Sequence, residues 1–273
     1  MISPESIIEL AEGLADQHKG LSGGGDPFIA FNDYEVPVAQ DNFGNAFEGA
    51  LRFHGDEFQV FVNTGNLNDP RTSGRRHFTG AHEFGHYSIK EHRKAIISGD
   101  GFHKDVTGFA SKNPMEREAD IFASHFLVPT KTLKKRCRND DWGAAEILDV
   151  ATHFGTSITC AALRCQSSLS GNSTLILWGP THVRWQRMNH DWWFQLPARS
   201  IRNINELISG SATEELMNGA EVPECGFFSR GTTRSAWFKR VADWSAKNTI
   251  LIEHVIPLGA YGYLTILRPD TNF

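Results

Sequence analysis

Residues 82–86 read His-Glu-Phe-Gly-His. Carried on a helix, His82 and His86 are four apart and share one face, so two imidazoles can point at one metal ion. Glu83 falls on the shoulder of that face, where its carboxylate can reach a water on the metal. Two nitrogen ligands and a neighbouring carboxylate are what zinc needs to activate water. Three fixed letters also occur in helices that merely carry two surface histidines and a glutamate, so the surrounding residues have to decide.

Zinc requires a third protein ligand. Asn113-Pro114-Met115-Glu116 reads as a helix start: a capping Asn, a Pro at the first position and a Glu in the first turn. Met115, Ala119, Phe122, Ala123 and Phe126 form its core face, and the helix is expected to stop before Pro129. Glu116 lies beside that stripe and can complete the ligand set, or can serve only its own helix as a capping carboxylate. Asp120, one turn on, can hydrogen-bond a ligand histidine. Glu118 is the rival ligand, roughly 200° around the helix from Glu116. It shares its face with His125, which reads as an outer, solvated surface. His92 stands at the spacing of H-E-x-x-H-x-x-G-x-x-H, but Ile89 occupies the Gly position and resists the sharp turn that pattern needs. His92 is therefore expected at the surface near a helix end. Tyr87 and His103 are candidate oxyanion donors by proximity in sequence, and the loop around His103 could instead place His103 or Asp100 on the metal.

Arg75–Ile89 (RRHFTGAHEFGHYSI) followed by Glu116–Pro129 (EREADIFASHFLVP) resembles the ImmA/IrrE family of zinc metallopeptidases. There an R-x-x-F-T-x-A-H-E-x-G-H block precedes an E-x-x-A-N/D-x-F-A-x-x-L-x-P block. The departures are Phe84 where Leu is usual, Asp120 where Asn is commoner, and Leu127 and Pro129, each one place beyond the L and P of the second block. The resemblance implies a zincin-like fold with Zn2+ held by His82, His86 and Glu116, and Glu83 as catalytic acid–base. It also implies cleavage of a helix-turn-helix transcriptional repressor after a stress, phage or DNA-damage signal. Longer members carry a C-terminal GAF-like module.

The elements that must position these residues follow from hydrophobic pattern. Residues 4–19 read as a helix capped by Ser3, with Ile7, Ile8, Leu10, Ala11, Leu14 and Ala15 as its apolar stripe. Strand-like runs follow at Pro27–Phe31, Ala46–Phe53 and Phe58–Asn63, the last two flanking a turn. The metal helix runs from Thr72 or Ser73 to about Lys90, and Gly99–Gly108 reads as a polar loop. Trp142–Phe154 and Ser157–Leu169 form helices broken at Gly155. They read either as a DNA-binding helix-turn-helix or as a packing pair, and charge favours packing because Arg164 is the one basic residue of the second. The basic cluster Lys131, Lys134, Lys135, Arg136 and Arg138 reads as a solvated helix end.

Beyond residue 170 the pattern is α+β with an antiparallel sheet. Strands are expected at Thr174–Trp178, Val183–Met188, Trp192–Leu196, Gly226–Phe228, Ile250–Ile256 and Gly262–Leu267, with helices at Ile201–Ser209 and Thr232–Ser245. Six of the seven Trp lie there, as core residues or as the lining of a ligand site. The expected organisation is a peptidase domain over 1–130, a helical segment over 131–170 and an α+β domain over 171–273.

Composition bounds the rest. Residues 1–130 hold 11 Lys and Arg against 19 Asp and Glu, a net of −8, and residues 131–273 hold 16 against 13, a net of +3. Nucleic acid, if bound, belongs with the second half, where single-stranded DNA or a small-molecule effector is the expected partner. No run approaches the roughly 18 apolar residues of a membrane helix, and the N-terminus lacks the basic-then-apolar pattern of a signal peptide. Cys137, Cys160, Cys165 and Cys225 form no C-x-x-C pair and read as reduced thiols, which suits the cytoplasm.

Overall fold

A computed structural model describes residues 2–65, 73–105, 113–137, 142–189, 207–238 and 250–270. The chain divides into two compact units, Met1–Arg136 with Val150–Arg164, and Cys137–Asp149 with Cys165–Phe273. Both mix helices with a sheet, so the fold class is α+β.

The first unit opens with α1 (Pro4–Gln17), whose N-cap Ser3 accepts from the Ser6 amide. The run Pro27–Phe31, expected as a strand, is instead α2 (Pro27–Asp33). Asp26 explains the difference: its carboxylate accepts from the Phe28 and Ile29 amides at 2.8 and 3.3 Å, and Pro27 suits the first helical position. Next come β1 (Val38–Asp41), β2 (Gly49–His54) and β3 (Glu57–Asn63). β2 and β3 form a hairpin through Gly55 and Asp56, whose φ values of 60° and 67° are those of a turn that matches strand twist. β1 runs parallel to β3 on its far side.

The metal-motif helix is α3 (Ser73–Ser88), followed after Ile89 by α4 (Lys90–Ser98). The segment expected as a loop contains β4 (Phe102–Asp105), antiparallel to β2 with His103 opposite Leu51. Backbone pairing with β2 overrides the local glycine-rich polarity. The sheet order is β1-β3-β2-β4. α5 (Pro114–Leu127) carries the Asn113 cap, Pro114 at its start and an end before Pro129. α3 packs along α5 and against β2 and β3. Gly85 permits that approach, because a Cβ there would lie 3.1 Å from the Phe122 ring. Phe31, Phe84, Phe122 and Phe126 form the aromatic core beneath, with ring centroids 5.2–5.7 Å apart.

α6 (Thr130–Arg136), α7 (Ala144–Phe154) and α8 (Ile158–Ser168) follow. Lys131, Lys134, Lys135 and Arg136 are exposed on α6, and Arg138 lies outside the described residues. Arg164 of α8 is buried. Its guanidinium donates to Val128 O at 3.0 Å and Thr130 Oγ1 at 2.9 Å, with His125 Nε2 at 2.8 Å. Glu12 of α1 closes this network on His125 Nδ1 and Thr130. A buried, multiply bonded Arg164 spends its guanidinium within the protein, as the packing reading of this helix expects.

The second unit contains β5 (Thr174–Trp178), β6 (Val183–Met188), α9 (Ala212–Met217), β7 (Phe228–Thr233), α10 (Arg234–Trp237), β8 (Ile250–Pro257) and β9 (Tyr263–Pro269). Every described pairing is antiparallel, in the order β6-β5-β9-β8-β7. β7 begins where the Gly226–Phe228 strand was expected to end. It takes Thr232 and Thr233 from the expected helix, leaving α10 as its described part, because the ladder with β8 is worth more than local propensity. Trp192–Leu196, Ile201–Glu206 and Lys239–Ser245 lie outside the described residues, as do Trp192, Trp193 and Trp244. Trp178 and Trp237 are core residues, packed with Ile176, Phe238, Leu251 and Leu267. Cys160 and Cys225 are free thiols, the first buried and the second exposed. No described helix is long and apolar enough to cross a membrane.

Candidate metal centre

The helical spacing of His82 and His86 sets both rings on the face of α3 that meets α5. His82 is 2% exposed, His86 0% and Glu116 6%. His82 Nε2 lies 3.1 Å from His86 Nε2 and 3.2 Å from Glu116 Oε2, and His86 Nε2 lies 3.6 Å from Glu116 Oε1. Two ligands about 2 Å from a tetrahedral zinc are about 3.3 Å apart. The three donor atoms therefore already stand at the separations that such an ion imposes, within 4.8 Å of one another and buried. Two nitrogens and one carboxylate oxygen make a donor set that zinc accepts.

The surroundings orient the set. His82 Nδ1 lies 3.0 Å from Asp120 Oδ1, which fixes the ring with Nε2 towards the centre. Glu83 is fully buried, and β2 comes so close that a Cβ on Gly49 would stand 2.4 Å from Glu83 Oε1 and 2.6 Å from Thr79 Cγ2. Gly49 is thus a site residue that the sequence reading missed. A lone glycine opening a strand was its available signal. β4 brings His103 Nε2 to 2.9 Å from Glu116 Oε1, with its ring centroid 4.1 Å from that of His86. That 2.9 Å is charge-pairing distance without hydrogen-bond alignment. His103 is not among the three residues whose donors converge. Asp100 instead accepts from the Phe102 amide at 3.1 Å and is exposed. Tyr87 packs its ring against Phe58, Tyr34 and Phe84.

The titration behaviour follows the same geometry. Burial works against a charged His82, but hydrogen bonds to Asp120 and Glu116 outweigh it and hold its pKa well above the usual value. Burial, then the charges of His82 and His103, push His86 well below it. For Glu116 the burial penalty is overcome by His103 and His82, and its carboxyl is held far down. His103 is raised, with Glu116 and Glu83 prevailing over burial. The cluster therefore favours an ionised carboxylate facing imidazoles that compete for positive charge, an arrangement that a divalent cation satisfies at once.

Two sequence expectations are corrected here. His92 is not at the surface: it is 1% exposed, and its Nε2 lies 2.8 Å from Glu118 Oε2. Glu118, expected on a solvated face, has a side chain only 13% exposed. After the turn at Ile89, α4 packs on α3 and β2, and from there His92 reaches Glu118 of α5.

Residues 59–166 match the family Peptidase_M78, described as an IrrE N-terminal-like domain. That stretch contains all three converging ligands and supports the ImmA/IrrE resemblance and a peptidase reading. A solved structure of a Mycobacterium tuberculosis transcriptional regulator is similar in fold, with a TM-score of 0.60 and 12% identity, over 96% of this chain and 74% of that one. No curated protein matches the chain.

Proposed function

We propose that the chain is a zinc-dependent, site-specific endopeptidase. The observation that carries the reading is the buried trio His82, His86 and Glu116 with Glu83 beside it, inside the stretch that matches a peptidase family. His82 Nε2, His86 Nε2 and a Glu116 oxygen would hold the ion. Zinc there would polarise a peptide carbonyl and lower the pKa of water towards about 7. Glu83 accepts a proton from the attacking water at its carboxylate and returns it to the leaving amine. Asp120 keeps His82 in the ligating tautomer. His103, poised over Glu116, supplies an N–H to the oxyanion. The substrate is a helix-turn-helix transcriptional repressor in the cytoplasm, cleaved on a stress, phage or DNA-damage signal. The support for that substrate is the resemblance in the two motif blocks.

A second reading, a non-catalytic regulator on a zincin scaffold that binds DNA or protein, draws support from the fold likeness to a transcriptional regulator. Glu83→Gln separates the two. It should retain zinc and fold while abolishing cleavage of candidate repressors, with chelator-treated wild type as the control. Wild-type cleavage by Glu83→Gln would sink the mechanism, and no cleavage by any metal-loaded wild type would favour the regulator.

A further inference from the structure

One face of the second sheet holds more buried polar groups than an apolar core uses, and most of them answer one another. Trp178 Nε1 donates to Thr265 Oγ1 at 2.9 Å, and the Thr265 and Thr213 hydroxyls lie 2.6 Å apart. Thr213 donates to Glu253 through both its amide and its hydroxyl, and the Ala212 amide adds a third bond. Glu253 thereby caps α9 from β8.

Three further buried groups of this unit are not answered by any described residue. The indole N–H of Trp237 is buried and has no hydrogen-bond partner among the described residues, and the same holds for Arg234 Nε and the Thr174 hydroxyl. Trp237 is 0% exposed and packs against Ile176 and Trp178. Thr174 shares its side of β5 with those two residues by strand alternation. Arg234 and Trp237 are three apart on α10, so they project from one side of that turn. Arg234 is half-buried, so its head reaches towards solvent while Nε stays inside. Folded proteins leave few such groups unanswered.

The chemistry of the missing partner is constrained. An indole N–H and a guanidinium N–H only donate, so the partner accepts. Arg234 has no ion pair among the described residues, so the partner carries negative charge. A single cation with two N–H donors suits a planar monocarboxylate better than a phosphate dianion, which needs more charge and more donors. Leu207, Ile208 and Met217 pack partly buried against the same cluster, and they suit an apolar body. The wholly buried Trp178 and Trp237 offer no ring face on which bases could stack.

We propose that the second unit binds a small monocarboxylate with an apolar body, its oxygens accepting from Trp237 Nε1–H and Arg234 Nε–H. The site is independent of the metal centre and of any peptidase activity. The test uses the full chain with 15N-labelled tryptophan, following the indole N–H resonances. Trp237→Phe assigns the Trp237 signal. Sodium butyrate and sodium benzoate are the probes, with sodium chloride and inorganic phosphate as controls. The expected result is a saturable shift of the Trp237 signal with at least one carboxylate and none with chloride. Arg234→Gln should weaken that response at least tenfold. The melting temperature of the wild type, but not of Arg234→Gln, should rise with the same probe. No saturable shift with either carboxylate overturns the proposal and leaves the indole N–H to water. A response to phosphate alone overturns the ligand class. An unaltered response in Arg234→Gln overturns the site.

Discussion

Replacing Gly49 with Ala tests whether the approach of β2 to Glu83 is a built part of the metal centre. The new Cβ would meet Glu83 Oε1 at 2.4 Å and Thr79 Cγ2 at 2.6 Å. Ordinary contact at such atoms begins near 3.4 Å, so strand or side chain must retreat by about 1 Å. Overpacking of this kind costs about 1–3 kcal/mol, which for a chain of this size lowers the melting temperature by about 2–12 °C. A 1 Å displacement of a catalytic group costs on the order of a hundredfold in rate. His82, His86 and Glu116 are not touched, so zinc content measured by metal analysis should stay near that of the wild type. Gly13→Ala is the control: it sits in α1 with nothing within 4 Å of an added Cβ, and should gain about 0.5–1 kcal/mol from helix propensity. The two alanines should thus move stability in opposite directions. A Gly49→Ala protein that melts with the wild type and cleaves at its rate would refute the reasoning.

Three further outcomes are expected. Glu116→Ala should lose zinc while Glu118→Ala keeps it, the latter melting lower because His92 stays buried without its acceptor, a cost of about 1–3 kcal/mol. The reverse zinc pattern would overturn the ligand assignment. Asp120→Ala should weaken zinc binding about 10–100-fold in competition with a chelating dye, and unchanged affinity would show that Asp120 does not orient His82. Burial and the neighbouring Arg164 hold His125 at a pKa of about 4. The unfolded chain therefore binds more protons between that value and about 6.5, and stability must fall as pH drops through this window. Glu12, held below the usual carboxylate value despite burial by its bonds to Thr130 and His125, extends the loss to lower pH. His125→Gln should flatten the upper part of the melting-temperature profile, and an unaltered slope from pH 6.5 to 4 would discount His125 as its source.

The amino-acid sequence by itself determined what is local. The spacing of His82 and His86 puts two imidazoles on one helical face whatever surrounds them, and Asn113 with Pro114 starts α5 through bonds made within four residues. The β2–β3 hairpin was readable from two strand-like runs around a short turn, and the antiparallel sheet of the second unit from the strand-like runs at Thr174–Trp178, Ile250–Ile256 and Gly262–Leu267. Pro27–Phe31 was read from its apolar run as a strand, although Asp26 and Pro27 are residues that can start a helix. The cap, a bond of one side chain, decides between the two.

Only the tertiary structure decided what depends on which faces meet. Glu116 and Glu118 both lie in the first turns of α5, and the packing of α5 on α3 turns one to the histidines and the other to His92. The burial of His92 follows from the turn at Ile89, which no spacing rule announces. His103 reaches Glu116 because β4 pairs with β2 across some fifty residues of sequence, and Gly49 matters because the same strand runs past Glu83. Such contacts join segments that carry no mark of one another. Their energy comes from backbone pairing and from close packing of surfaces that exist only once the chain has folded.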